Sequence, residues 1–305
     1  MTLPRVTVLM AVRDGAAHLE AQLLSIAAQR GVDWRLVASD DGSGDDSPAI
    51  LARFAAAHPG RVQLTQGPRQ GATANFLALL AATGADDGWL AFSDQDDIWL
   101  PDKLARATAA MRAAEVGLWT AQVTLCDESG RVLGPGQTMP ELPDFGLLAV
   151  EALAGGNTMV LTPPAADLLR RALAITPTNL LRGVYHDWWA AQVVAAAGGA
   201  LVWEPQPCLL YRQHGDAQVG HGGGTRRARR VLGGGFGQSL AAQLRALQAA
   251  APLLRPEARA LIDQLAALPA LPFPRRLIAA QGLPVRRRTP GATLALRLAL
   301  ALGMA

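Results

Sequence analysis

Three carboxylates within four residues, Asp94, Asp96 and Asp97, follow directly on the apolar run Trp89-Leu90-Ala91-Phe92. Like charges at this spacing repel and lose hydration at a sheet edge. A positive group must offset them, most simply a divalent cation that also carries a phosphate. A solvated acidic turn fits the same local pattern, and the choice depends on whether the chain supplies the rest of a nucleotide site. Asp40 and Asp41 close a second apolar run ahead of Gly42, and Asp187 stands at the start of a helix-like segment. Arg212 and His214 follow an aromatic, Tyr211, at the end of a third run. A carboxylate such as Asp40 can accept an N–H, since the cap of the following helix falls to Asp45 or Asp46. Asp187 suits a general base for a hydroxyl, and its position suits a helix N-cap equally well. A guanidinium and an imidazole can share developing negative charge.

The elements that must position these groups alternate. Strand-like runs Val6 to Val12, Trp34 to Ser39, Arg61 to Gln66 and Trp89 to Ser93 are each followed by a helix-like run. Those helices read as Ala16 to Gln29, Ser47 to His58, Ala72 to Ala82 and Pro101 to Ala114. Repeated βα alternation implies an α/β fold, a mostly parallel sheet flanked by helices, with ligands at the carboxyl ends of the strands. After residue 115 the alternation breaks. Val116 to Cys126 reads as one long strand, Asp127 to Gly130 as a hairpin turn and Arg131 to Leu133 as its return. Gly155-Gly156-Asn157-Thr158 opens the apolar run Met159 to Leu161, and Pro163-Pro164 starts a helix. No G-x-G-x-x-G follows the first strand and no G-x-x-x-x-G-K occurs, so dinucleotide and P-loop sites lack support.

With 305 residues, half of them hydrophobic, the chain can bury a full core. Its two cysteines, Cys126 and Cys208, have no metal-site or disulfide-framework spacing. With no leader visible, a cytoplasmic location is expected. The net charge of +3 hides an asymmetry. Residues 1–220 carry 15 Lys and Arg against 23 Asp and Glu, whereas residues 221–305 carry 13 against 2. Glycines 220, 222, 223 and 224 mark the boundary of this Arg-rich helical tail, whose arginines cluster at 226–230, 275–276 and 286–288. Such helices suit an anionic membrane surface, hence a peripheral place at its inner face. A solvated helical face fits the same pattern. Nucleic acid is ranked lower because no zinc finger, helix-turn-helix or RNP-like set accompanies the charge. Leu294 to Leu302 is too short to span a bilayer and contains Arg297.

Taken in order, Ser39-Asp40-Asp41-Gly42-Ser43-Gly44-Asp45, Ser93-Asp94-Gln95-Asp96-Asp97-Ile98-Trp99, His186-Asp187-Trp188 and Tyr211-Arg212-Gln213-His214 resemble the family 2 glycosyltransferases. The acidic motif with Gln in its middle is most similar to their rhamnosyltransferase-like branch. The resemblance covers residues 4–220 and implies a GT-A fold. About 1–115 would form the nucleotide-binding half and 116–220 the acceptor half.

The resemblance also implies roles. Asp40, with Asp41 and backbone from Ala11, Val12 and Arg13, would hold the base. Asp96 would bind Mg2+ or Mn2+ directly, and Asp94 the metal or ribose, with Gln95 beside them. Asp97 is open between a third ligand and a cap for the helix near Pro101. Arg212 and His214 would meet the diphosphate, and Gly156, Asn157, Thr158 and Trp188 the acceptor. Trp188, Trp189 and Trp99 are candidates to stack on sugar faces, with core packing expected of at least one. His186 replaces an acid common in the family, which leaves Asp187 as the base. The expected activity is inverting transfer of a sugar, rhamnose in the first instance, from a dTDP or UDP donor to a glycan or lipid-linked acceptor. A sugar-phosphate nucleotidyltransferase and a non-catalytic scaffold in polysaccharide assembly are the alternatives.

Overall fold

Val6, Val8, Leu9, Met10 and Val12 are all buried, so the strand that carries them, β1 (Arg5–Val12), has no solvated face and must lie inside a sheet. The computed structural model describes residues 2–139, 143–213 and 235–303. β1 lies between two parallel neighbours, β2 (Asp33–Asp40) and β4 (Trp89–Ser93), and β3 (Val62–Gln66) extends the sheet beyond β2. The helices between them are α1 (Ala16–Ala27), α2 (Ser47–Ala57) and α3 (Ala72–Ala82). These boundaries match the sequence reading to within two residues.

Beyond β4 the chain crosses between sheets. Residues 94–97 form the crossing, and β5 (Ile98–Trp99) that follows belongs to a second sheet. After α4 (Lys103–Ala110), β6 (Gly117–Ala121) rejoins the first sheet, while β7 (Thr124–Cys126) enters the second. The expected long strand Val116 to Cys126 is therefore two strands. The backbone turns at Gln122 and Val123, where the Gln122 N–H donates to the Glu204 carbonyl and the Gln122 carbonyl accepts from the Cys208 N–H. The hairpin is present: β8 (Val132–Pro135) returns antiparallel to β7.

The chain continues through α5 (Phe145–Leu148), β9 (Val160–Leu161), α6 (Pro163–Ile175), α7 (His186–Ala196), β10 (Ala200–Glu204) and β11 (Leu209–Arg212). The seven-stranded sheet runs β10-β6-β9-β4-β1-β2-β3, with β9 antiparallel to both its neighbours. The second sheet runs β5-β11-β7-β8. α6 starts as its sequence demands. The Thr162 hydroxyl accepts from the Ala165 N–H, and prolines fill the first turn, where no N–H is needed. α7 differs from expectation. Tyr185 is its N-cap residue, and Asp187 sits inside the first turn.

The described part of the tail forms α8 (Gly235–Ala249), α9 (Pro256–Ala267), α10 (Phe273–Gly282) and α11 (Pro290–Leu302). Its apolar residues join the main core: Leu240, Leu247, Ile262, Leu296 and Leu300 share one buried cluster with Leu148, Trp189 and Leu161. The Arg286–288 cluster turns inward. Arg287 Nε donates to Glu151 Oε2 at 3.1 Å, Arg288 donates to the carbonyls of Ala152 and Leu153, and Arg286 meets Asp144 at 3.2 Å. These arginines were expected to form a basic patch. They are consumed by acids and carbonyls of the first 220 residues because the helix ends they flank are packed there. Arg226 to Arg230 and the glycine boundary lie outside the described residues.

Glu151 is buried between the guanidinium groups of Arg287 and Arg288, so removing its charge takes a buried counter-charge from both. Glu151→Gln should lower the unfolding free energy by roughly 3 kcal/mol, read as a shift of the urea midpoint at constant m. A loss of a few tenths would show that the tail is held by apolar contact alone.

Candidate functional site

Parallel pairing sets three strand ends level. Val12 lies opposite Asp40, and Met10 opposite Ser93, so the loops after β1, β2 and β4 emerge on one edge. Side chains then tie these loops together. The Asp14 N–H donates to Ser43 Oγ, the Gly15 N–H to Ser47 Oγ and the Ala16 N–H to Asp45 Oδ2, all at 2.9 Å. The first turn of α1 is thus capped by the next loop rather than by its own N-cap residue, Gly15. Asp14 returns the contact, accepting from the Gly44 N–H at 2.7 Å while held at φ 48°.

The base-binding candidates emerge partly committed. Asp40 is half-exposed, but its oxygens accept from Ser43 Oγ at 2.5 Å and from the N–H groups of Gly42 and Ser43. Asp41 is buried and accepts from the N–H groups of Arg69 and Gly71 at 2.6 and 2.8 Å. It builds the loop after β3 and has no face toward a ligand, contrary to expectation. Gln95 also differs from its expected role. Its amide accepts from the Arg13 N–H at 2.7 Å and donates to the Arg13 carbonyl at 2.9 Å, strapping the acidic loop across Gly15. The Val12 carbonyl accepts from the Asp41 N–H. The backbone of Val12 and Arg13 is therefore largely paired within the protein, and Ala11 lies in the ladder opposite Ser39. The Arg13 side chain is exposed and lies 3.7 Å from Asp14.

The acidic loop divides. Asp94 and Asp96 are half-exposed, whereas Asp97 is fully buried. Asp97 neither caps a helix nor faces outward: Asp102 precedes α4, and Asp97 Oδ2 accepts from Asn157 Nδ2 at 2.5 Å. Its other oxygen, Oδ1, is buried with no hydrogen-bond partner among the described residues. Burial, with the charge of Asp96, pushes the Asp97 carboxyl up to about 7. Burial and the charges of Asp97, Asp96 and Asp187 raise Asp94 well above the ordinary carboxylate range. The counter-charge is Lys103, a fully buried lysine that the sequence reading missed. Its ammonium lies 3.2 Å from the centroid of the Trp99 ring and donates to the Asn157 carbonyl. Burial draws it down to about 8, against the pull of Asp97 and Asp94. Nothing in the local string Pro101-Asp102-Lys103-Leu104 marks this lysine as internal. Only the acids five and six residues ahead of Asp102, Asp97 and Asp96, hint at it.

Asp187 enters from the first turn of α7. Its Oδ2 accepts from the Gly156 N–H at 3.1 Å, and its Oδ1 from the Trp188 N–H at 2.7 Å. The turn Gly156–Thr158 is buried and locked. Asn157 bridges Asp97 and Lys103, and Thr158 Oγ1 lies 2.5 Å from Thr120 Oγ1. Gly156 has no room for a side chain, since a Cβ would come within 2.7 Å of His186 Nε2. That ring stacks on Phe76 at 4.0 Å and meets the edge of Phe92, and burial holds its pKa below the ordinary value. Trp188 is core, its indole N–H donating to the Leu148 carbonyl. Trp99 and Trp189 are buried as well, so none of the three presents a face for a sugar.

Arg212 is likewise turned from its expected role. It is buried, donating from Nε to the Asp96 carbonyl at 3.0 Å and from Nη1 to the carbonyls of Asp127 and Glu128. It fixes the acidic loop against the hairpin. His214 lies outside the described residues. A second cation missed in the sequence stands nearer the surface. Arg69 is exposed, held at φ 58°, with its side chain against Gly42. Non-glycine residues are uncommon there, and such strain gathers at functional loops.

Among the described residues no group of three or more His, Cys, Asp or Glu is arranged to enclose a metal ion. The acidic loop nevertheless fits a hard divalent cation of the Mg2+ or Mn2+ type. It offers two half-exposed carboxylates in a surplus of negative charge, and such ions take one or two carboxylates plus phosphate and water.

Comparison with known proteins bears on the family and the fold. The model of the family described as "Glycosyl transferase family 2" matches residues 7–174. A dTDP-rhamnosyl transferase, RfbG, of Shigella flexneri is 28% identical over 217 residues, 69% of this chain and 73% of that protein. The crystal structure of Staphylococcus aureus TarS 1–349 with UDP-GlcNAc superposes with a TM-score of 0.57 at 14% identity, over 98% of this chain and 87% of that one. The mannosyltransferase PcManGT of Pyrobaculum calidifontis, with GDP-Man and Mn2+, superposes at 0.54 and 20% identity, over 99% and 87%. At these identities the structural likeness establishes the GT-A fold.

Between the ordinary carboxylate pKa near 4 and about 7, folded Asp97 keeps a proton that the unfolded chain has lost. Stability of the metal-free protein should therefore fall as pH rises through that window. Guanidinium midpoints in EDTA at each end should show a loss of more than about 1 kcal/mol, which Asp97→Asn reduces. An equal loss in the variant would assign the dependence to another group.

Proposed function

Because the chain belongs to glycosyltransferase family 2, we propose that it transfers a sugar, rhamnose as in the name of its Shigella relative, from a dTDP or UDP donor. The acceptor is a hydroxyl of a glycan or lipid-linked glycan, and the transfer inverts the anomeric carbon. The observation that carries this reading is that one turn joins Asp187 to the acidic loop: the Gly156 N–H donates to Asp187 Oδ2 and Asn157 Nδ2 donates to Asp97 Oδ2, and the charge of Asp187 contributes to raising Asp94. Family membership replaces the nucleotidyltransferase alternative.

Each group then has a task that its surroundings allow. Asp40 accepts from the imide N–H of the pyrimidine with the lone pairs that its turn leaves over, since a carboxylate offers about four. The exposed side chains of Arg13 and Arg69 flank the same edge and attract the diphosphate. Asp96, with Asp94, would hold the divalent cation, which would supply positive charge against the departing nucleoside diphosphate. Asp187 receives the proton of the acceptor hydroxyl. That oxygen bonds to the anomeric carbon as the bond from the same carbon to the phosphate oxygen breaks, and the electron pair leaves with the diphosphate. The Gly156 and Trp188 N–H groups fix the direction of the Asp187 carboxylate, so little reorganisation is needed when the acceptor arrives. Gly156, Asn157 and Thr158 serve the acceptor side by building this support. The buried Asn157 and Thr158 side chains are already engaged within the protein.

Two measurements test the reading. Asp187→Asn should lower transfer by about 10²- to 10⁴-fold while donor-dependent thermal stabilisation persists. Near-normal transfer would remove Asp187 as the base. A thermal-shift screen of nucleotide sugars with Mn2+ should favour a dTDP or UDP donor, and Asp96→Asn should abolish the Mn2+-dependent part of the shift. Stabilisation by GDP sugars alone would overturn the donor assignment.

A further inference from the structure

The helical hairpin α10–α11 exposes more apolar surface than its role in the core requires. Eleven large hydrophobic side chains are exposed among the described residues, and five of them lie between residues 273 and 302. They are Phe273 at 52%, Ile278 at 73%, Leu294 at 60%, Leu298 at 51% and Leu302 at 56% relative exposure. The three leucines follow the i, i+4, i+8 spacing of one helical stripe. Leu296 and Leu300, about 200° around the same helix, are buried in the core cluster. α11 is therefore apolar on two sides, one spent on the fold and one left uncovered. A helix facing only the protein and water would carry polar groups on that second side.

The charge around the stripe points to what covers it. After Asp263 the sequence has no acidic residue, while it has arginines at 275, 276, 286, 287, 288 and 297. Arg286, Arg287 and Arg288 are committed to Asp144, Glu151 and the carbonyls of Ala152 and Leu153. Arg276 donates to the Ala301 carbonyl at 2.8 Å, which pins the start of α10 to the end of α11. Arg275 is exposed, one helical turn before Ile278, and Arg297 lies one turn after Leu294. The uncovered stripe is thus bordered by cations and by no anion of its own segment. A second copy docking here would set cationic surface against cationic surface. An anionic lipid interface complements both the charge and the apolar stripe.

The dimensions agree. α11 has 13 residues and is about 20 Å long, well short of the roughly 30 Å hydrocarbon core. No helix among the described residues is long and apolar enough to cross a membrane. We propose that α10–α11 is a monotopic membrane anchor. Leu294, Leu298, Leu302 and Ile278 enter the boundary between headgroups and acyl chains of an anionic bilayer, with Arg275 at the phosphate level. This differs from attachment through arginine clusters. The apolar stripe carries the affinity and the cations select the lipid, so salt weakens binding less than loss of the leucines does. The inference makes no use of the donor or the acceptor, and it stands apart from the transfer reaction.

Flotation of the full chain with phosphatidylcholine vesicles, with and without phosphatidylglycerol, tests it at low and high salt. The wild-type chain should float with the anionic vesicles. Leu294→Gln/Leu298→Gln should reduce its partition coefficient at least about tenfold, more than high salt does. Ile278→Gln gives an independent reading from the other helix. Unchanged circular dichroism and thermal midpoints are expected, because all three side chains are exposed. The proposal is overturned if the wild-type chain fails to float, or if the double variant floats as well as the wild type. It is equally overturned if sedimentation velocity shows a dimer that the double variant dissolves while vesicle binding is absent, which would assign the stripe to a second copy.

Discussion

The central constraint in this structure is the cost of holding negative charge where two sheets meet. Asp94, Asp96 and Asp97 occupy the crossing between β4 and β5, and Asp187 approaches from α7. Buried carboxylates in such a group are expensive unless paired or protonated. Lys103, fully buried, answers them in part. Its ammonium is held by the face of Trp99 and the carbonyl of Asn157, which also donates from its side chain to Asp97. The acidic loop and the Gly156–Thr158 turn are thereby one hydrogen-bonded unit.

Lys103 alone does not neutralise four acids. Burial and its acidic neighbours push Asp97 up to about 7, and Asp94 also rises well above the ordinary carboxylate range. The residual charge is directed at the half-exposed pair Asp94 and Asp96, where a metal and a diphosphate can reach it. The fold supports that loop from beneath with Arg212, whose guanidinium donates to the Asp96 carbonyl and to the hairpin between β7 and β8. It supports the loop from the side with Gln95, whose amide pairs with the Arg13 backbone as a strand would. Several polar residues that a motif reading assigns to substrate instead hold the site's shape. Preorganisation of this kind lowers the reorganisation needed during reaction.

The tail extends the same economy of charge. Arg287 and Arg288 enclose Glu151, and α8 to α11 share the core of the first 220 residues. The arginine surplus is consequently divided between internal ties and the exposed border of α10–α11, a division that charge counting along the sequence does not reveal.

Much was legible in the sequence. The βα alternation, the acids at strand ends, the hairpin after Cys126 and the double proline at the start of α6 each depend on local pattern or local sterics, and these are properties of adjacent residues. The family resemblance was legible for the same reason, because its motifs are short strings in a fixed order. What tertiary structure decided was direction and pairing. Whether Asp97 caps a helix or lies buried under Asn157 depends on a residue sixty positions away. Whether Arg212 meets solvent or the Asp96 carbonyl depends on β11 lying beside β5. Lys103 is the sharpest case, since it looks like an ordinary lysine in the first turn of a helix. Only the fold closes Trp99, Asn157 and the acidic loop around it. Burial and partnership are set by residues distant in sequence, and they determine whether a charged side chain binds a ligand or holds the site that does.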